Sequence, residues 1–469
     1  MSKQVRLVII AAALVAMLAC AALLLAPPAE GDDPLVFRSS AASDIASIRI
    51  NNAYGTFSIY AEGEGYVPGD IPPYIVDIEK FYSLMTYCGA VSARQVVDRS
   101  PEDLSLYGLD APAASVSVVY SDEEMLRFYI GDQERLTGSY YLSVEGLEPV
   151  YLIDGQRSSL FLVPKKDFVN RMITPQLQMS SPFSAIRDVK FTGGPLSEPV
   201  TLKAVTGDDA EISRLAVSFG AVTHLVMGHG VYEFDQTYGV GLFSSLLGIT
   251  ANDIEGYNLT PDEIAGFGFN DPFMQVEFDL KNGIDAPVVH YSLKLIQKGE
   301  LYYMTCNDNG VIYEVPRPLF ADIEYGRLPV RFFLSPMLMD VSKVELVTWG
   351  QTYMFEITGG TKDRAVTMNG ETLDTERFYK FYELITSAAH DGTMFEAVDP
   401  QGEALLTLKY HYLDEQKSPD VMKLYKGDTL RDFVEINGVT EFAMLETFLT
   451  RVQDAVKILQ TTEPIEIKW

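Results

Sequence analysis

Residues 105–122 read SLYGLDAPAASVSVVYSD. A short apolar and polar run stops at Gly108, Pro112 follows, and from Ala114 apolar residues alternate with polar ones. The stretch is a joint between a short helix and a strand, and it occurs twice. SPEDLSLYGLDAP (100–112) pairs with TPDEIAGFGFNDP (260–272). Ser100 and Thr260 suit an N-cap, because their hydroxyls can accept from the first free helical N–H groups. Pro101 and Pro261 suit the first helical position. Asp103 and Glu263 stand where a capping-box carboxylate reaches back. Gly108 and Gly268 take the place past the helix end, where positive φ costs glycine little. Pro112 and Pro272 hold the preceding residue extended. Val116, Val118 and Tyr120 then match Val276, Phe278 and Leu280 with period two. The expectation is a two-turn helix that delivers the chain into a strand, built twice.

Further blocks repeat. SIRIN (47–51), DVKFT (188–192) and KVELV (343–347) each read as a leading strand. EKFYSLM (79–85) and ERFYKFY (376–382) read as one amphipathic helix. SYYLSV (139–144), LYYMTC (301–306) and DFVEIN (432–437) read as late strands. In the paired tyrosines Tyr140-Tyr141 and Tyr302-Tyr303, one ring should face the core and its neighbour the opposite side. Turn signals occur at 121–124, 307–310 and 437–438. EFAMLETFLTRVQDAVKIL (441–459) has helical spacing from Met444 to Leu459 and is expected to be one helix. The expected fold class is α+β: an N-terminal transmembrane helix, then three repeated β-rich units, each an antiparallel meander with one or two helices. The expected divisions are an anchor (1–26), a tether (27–40), unit one (41–180), unit two (181–336) and unit three (337–469).

The first residues carry Lys3 and Arg6 before an apolar run, Leu7–Ala26. Twenty helical residues at about 1.5 Å each cover a hydrocarbon core of about 30 Å. Basic residues before the run and Glu30, Asp32 and Asp33 after it place the N-terminus inside and the bulk outside. This predicts a single-pass cell-membrane protein held through residues 7–26, with a cytoplasmic N-terminus and an extracytoplasmic body. A cleaved signal peptide and lipid attachment at Cys20 are the competing readings; the length of the run favours a retained anchor.

The chain has 469 residues, with 36 Lys and Arg against 65 Asp and Glu, a net charge of -29. That balance opposes a nucleic-acid partner, since phosphate contacts need clustered cations. Three cysteines, Cys20, Cys88 and Cys306, make no disulfide framework, and buried free thiols are expected at Cys88 and Cys306. His224 and His229, near Glu233 and Asp235, match no zinc spacing and read as ordinary surface or hairpin residues. His290, His390 and His411 are scattered. NDNG (307–310) opens like a calcium loop but lacks its later ligands. No nucleophile elbow, P-loop or dinucleotide fingerprint occurs. Catalytic, metal and cofactor residues are therefore expected to be none, and the chain is expected not to be an enzyme.

Residues 76–173, through LSLYGLDAPAASVSVVY (104–120), LRFYIGD (126–132) and GSYYLSVEGLEPVYLI (138–153), resemble a bacterial family catalogued as domain of unknown function 4340. The resemblance implies single-span, outward-facing envelope proteins, often encoded beside gliding-motility-type ABC transporter components. The function expected from it is a non-enzymatic accessory or scaffold subunit of an ABC-transporter-type envelope complex, with the transporter's membrane subunits as partners. The alternative is an extracytoplasmic binding module for a peptide or cell-wall polymer.

Overall fold

The computed structural model describes residues 35–62, 65–205, 222–390, 399–427 and 430–467. The expected anchor, 1–26, and the tether up to residue 34 lie outside the described residues. Among the described residues no helix is long and apolar enough to cross a membrane. The fold is α+β and rich in antiparallel sheet. It divides into two compact units, Met1–Asn170 and Arg171–Trp469. The first holds an eight-stranded sheet; the second holds a nine-stranded and an eight-stranded sheet.

The three large sheets share the order of their central strands and differ at the edges. A meander runs outward from a central strand, Ile45–Asn52, Ile186–Gly193 or Val341–Thr348. The chain then crosses back, and the strands Ala114–Tyr120, Met274–Leu280 and Leu406–Tyr412 pair on the other side of that central strand. A second meander continues from there; the far edge is taken in the first two sheets by a strand of the crossing segment, Gln95–Asp98 or Asp253–Gly256, and in the third by the meander's own last strand, Val439–Leu445. The register at the centre is equivalent each time: Ile48 opposite Val118, Val189 opposite Phe278, Val344 opposite Tyr410. Each pairing also carries a register shift near its start, after Ile45, Ile186 and Val341, the extra twist that a bulge introduces. Alternation explains the cores. Val116, Val118, Tyr120, Val276, Phe278 and Leu280 are all buried, while the residues between them face outward.

A helix packs within each fold: Ile78–Gly89, Gln236–Ser244 and Thr375–Ile385. Each starts on an aspartate, Asp77, Asp235 or Asp374, whose side chain accepts from a first-turn N–H. The buried residues just before them, Val76, Phe234 and Leu373, fix the entry of the chain. The segment entering each fold lies antiparallel to the segment leaving its helix: Phe37 N–H donates to Val91 O at 2.9 Å, Ile173 to Ile249 at 2.8 Å, Phe333 to Ala388 at 3.1 Å.

Residues 441–459 do not form one helix. Val439–Leu445 is a strand paired with Arg431–Ile436, and the helix is Thr447–Ile458. The cause is the turn at Asn437-Gly438, both at positive φ (49° and 92°). It folds the apolar run back as a hairpin and satisfies an edge that a helix would leave unpaired. Arg377 then donates to the carbonyls of Ile458, Leu459 and Glu463 at 2.6–2.9 Å, a cation placed on the helix C-terminus.

Candidate functional site

The joint differs in its two occurrences. Around Gly108 the helix is a single 3-10 turn, Leu104–Tyr107, capped by Asp103, whose carboxylate accepts from Ser105 N–H at 2.9 Å. Ser100 is not the N-cap. Its N–H donates instead to Asp98 Oδ1 at 3.0 Å, and Asp98 also accepts from the Tyr107 hydroxyl at 2.8 Å. Those two bonds tie 98–103 down as a loop, and Pro101 lies in that loop. Gly108 has φ 63°. Leu109 N–H reaches Leu104 O at 3.0 Å and Gly108 N–H reaches Ser105 O at 3.2 Å, the paired closure of a Schellman end.

Around Gly268 the sequence expectation for the start of the helix is met in detail. Thr260 caps Pro261–Ile264, Pro261 occupies the first turn, and Glu263 accepts from Thr260 N–H at 2.8 Å while donating its own N–H back to Thr260 Oγ1. The chain then widens into a π-like turn, Ala265–Phe269, that kinks at Gly268, whose φ of 120° and ψ of 2° are not helical. The expected two-turn helix is therefore a 3-10 turn in one place and an α turn plus a π turn in the other. Pro112 and Pro272 each stand two residues before the strand that follows.

Both joints clamp a tyrosine of a late strand. Tyr107 meets Tyr141 edge-on at 5.1 Å, and Phe267 meets Tyr303 edge-on at 5.2 Å. Near Phe267, Ile264, Phe269, Ile296, Tyr303 and Ile312 form a small separate core. This is why the tyrosine pairs do not split into a core ring and an exposed ring. Tyr302 and Tyr303 are both buried, Tyr303 under the joint and Tyr302 beneath the Arg317 guanidinium at 5.5 Å. Tyr140 and Tyr141 are both half-buried. The joint residues are thus packing devices that fix two long strands, and they assemble no reactive group.

His224 is a core residue, not a surface one. It is buried among Phe183, Phe234 and Phe243, its Nε2 lies 3.0 Å from Arg187 O, and burial lowers its pKa. His229 stands 3.9 Å from Glu198. Among the described residues no group of three His, Cys, Asp or Glu is placed to hold a metal ion. Cys88 and Cys306 are free and buried, and burial pushes the Cys306 thiol up to about 12 and that of Cys88 higher still. In the second compact unit, Glu441 is fully buried and accepts from the hydroxyls of Tyr232 and Tyr325, the latter at 3.3 Å, while its Oε2 has no partner.

The surface feature that sequence reading missed is on the helix Ile78–Gly89. Tyr74, Ile78 and Tyr82 are 75%, 74% and 67% exposed. Ile78 and Tyr82 are four residues apart and so share one face. Leu84, Met85 and Cys88 are buried on the other. Spacing alone marks the helix as amphipathic; that an aromatic and an aliphatic residue stand on its solvent side is visible only once the buried face is known. Val240 and Tyr379 hold the place of Tyr82 in the other two helices, counted from the aspartate cap.

No curated protein and no solved structure matches the chain. The stretch from the approach to the helix Ile78–Gly89 through the first strands of the second sheet, residues 71–203, matches the model of the family described as Domain of unknown function (DUF4340).

Proposed function

We propose that this chain is a non-enzymatic, membrane-anchored extracytoplasmic scaffold, built from three copies of one β-rich unit. Its partners on this reading are the membrane subunits of an ABC-transporter-type envelope complex. The observation that carries the proposal is the exposed apolar face of Ile78 and Tyr82 on the helix Ile78–Gly89, with the exposed Tyr74 in the turn just before it. Large rigid side chains on one helix face are the chemistry of a protein docking surface. Triplication is supported by the shared order of the central strands, the three equivalent register shifts and the three aspartate caps. The anchor is supported by the apolar run 7–26, and the transporter partner by the family resemblance.

Affinity purification of the full chain from solubilised membranes tests the proposal. The native chain should bring membrane-embedded subunits with it, and the Ile78→Asp, Tyr82→Asp variant should lose them while remaining folded. Recovery of the native chain alone overturns the scaffold reading. Saturable binding to isolated cell-wall polymer or to peptides, with no membrane partner, replaces it with the binding-module reading, in which the same tyrosines stack on the ligand.

A further inference from the structure

One groove in the second compact unit has a lining that the fold does not require. It lies beside the helix Thr375–Ile385, has a volume of about 880 Å³, and is walled by the segment 335–339, by Phe332 and by the rings of Tyr379 and Tyr382. Two hydrogen bonds hold the wall in place: Tyr382 hydroxyl to Pro336 O at 2.8 Å, and Ser335 Oγ to Thr386 O at 2.9 Å. Met337 and Met339 are nevertheless 43% and 59% exposed. The same place in the first sheet shows what the fold needs. Ile45 and Val341 begin equivalent central strands, each just before its register shift. Counting back from them, Ala41, Ala42 and Ser43 stand where Met337, Leu338 and Met339 stand. In the second sheet the same count gives Pro182, Phe183 and Ser184, with Phe183 packed on the core rings of Phe234 and Phe243; the place of Leu338 can therefore serve the core, whereas Met337 and Met339 are long and exposed only here and add apolar lining.

The groove also holds a cation that has no counter-ion among the described residues. Arg364 Nε is shielded from solvent and has no hydrogen-bond partner. Its guanidinium carbon lies 5.9 Å from the Tyr379 ring centroid. No carboxylate of the described residues forms an ion pair with it. Glu383 also lines the groove but is exposed. In a chain of net charge -29, an arginine that no described carboxylate pairs, set in an apolar groove, has the chemistry of an anion receptor. A shielded guanidinium N–H without an acceptor is costly until one arrives, and the planar fork suits a carboxylate or phosphate.

We propose that this groove binds a single-chain anionic amphiphile, its hydrocarbon against Phe332, Met337, Leu338 and Met339 and its head group on Arg364. The volume is that of a small-molecule site, roughly 300–1,000 Å³. Unbranched methionines adapt to a flexible chain. The inference goes beyond the scaffold reading and does not rest on it. A fatty-acid carboxylate and a lysophospholipid phosphate offer the same head chemistry, and the test separates them.

The full chain, delipidated and held in amphipol, is exposed to diazirine derivatives of palmitate, of the corresponding lysophosphatidate and of the neutral alcohol, and the adducts are mapped by mass spectrometry. Adducts should fall on 332–339 and Tyr379 with one or both anionic probes. Arg364→Gln should lower anionic labelling about tenfold, the value of a charge-assisted hydrogen bond, and leave the alcohol unchanged. Glu383→Gln should raise anionic labelling. The triple variant Met337→Ala, Leu338→Ala, Met339→Ser, which installs the side chains of the first sheet, should lose all labelling while the strand Val341–Thr348 keeps its hydrogen-exchange protection. Labelling outside the groove, or labelling that Arg364→Gln leaves equal for acid and alcohol, overturns the proposal. So does occupancy by an amphipathic peptide that the anionic probes do not displace.

Discussion

Replacing Gly108 by alanine should destabilise the first compact unit well beyond the cost of its backbone conformation. At φ 63° a side chain carries the left-handed penalty of roughly 1–2 kcal/mol. An added Cβ would also stand 2.5 Å from Asp132 Cγ and 2.9 Å from Asp132 N. The carboxylate is exposed and can swing away; the backbone nitrogen belongs to the strand Met125–Gln133 and cannot. Overpacking of that kind adds roughly 1–3 kcal/mol, for a total of roughly 2–5 kcal/mol. Gly138→Ala is the control. Its φ is 72° and the nearest atom to a new Cβ is 3.6 Å away, an ordinary contact, so only the left-handed penalty applies. Hydrogen exchange on the full chain reads the difference. Amides of the strand Ala114–Tyr120 should lose protection by about 100-fold in Gly108→Ala, at tenfold per 1.4 kcal/mol, and by about tenfold in Gly138→Ala. Equal losses in the two variants would refute the claim that the joint is a close approach between turn and strand.

Three further outcomes follow from the geometry. Thr260→Ala should cost about 1 kcal/mol of helix-end stability, and Ser100→Ala much less, because only Thr260 caps a helix; local exchange protection compares them. Asp432 is fully buried, neither carboxylate oxygen has a hydrogen-bond partner, and Lys426 Nζ is 3.8 Å away, so burial raises its pKa. The folded chain therefore holds this proton more tightly than the unfolded chain, and the native chain gains stability as pH falls through the folded pKa toward the unfolded value. Asp432→Asn should raise Tm at neutral pH, and that advantage should shrink on acidification; an advantage that grows would reverse the sign. In a Cys20→Ser chain, neither Cys88 nor Cys306 should react with iodoacetamide at pH 8 without denaturant, since both thiols are buried and protonated.

The parts of this fold that were legible in the sequence are those with a period. The alternation in Val116–Tyr120, Val276–Leu280 and the strand Leu406–Tyr412 marks strands, because one face is buried along its whole length. The helix Gln236–Ser244 escaped notice because Gly239 and Gly241 lower its helix propensity. Gly239 is there for contact: a Cβ would fall 2.5 Å from the Phe234 ring. The shared pattern of an apolar residue followed by a capping aspartate, at 76–77, 234–235 and 373–374, could have revealed all three helices together. The hairpin at 437–438 was visible as a turn, yet the apolar run after it fits strand and helix alike, and only pairing with Arg431–Ile436 decides. The groove and the exposed helix face were not legible, since both depend on which residues the sheets leave uncovered.

The most direct test of the scaffold reading is site-specific photo-crosslinking in intact cells, with a photoreactive residue at position 78 or 82. The account predicts an adduct with a membrane-embedded protein subunit at both positions, and none when the probe replaces the exposed Leu136, which lies off that helix. Adducts at Leu136 but not at 78 or 82, or no adduct anywhere, would contradict it.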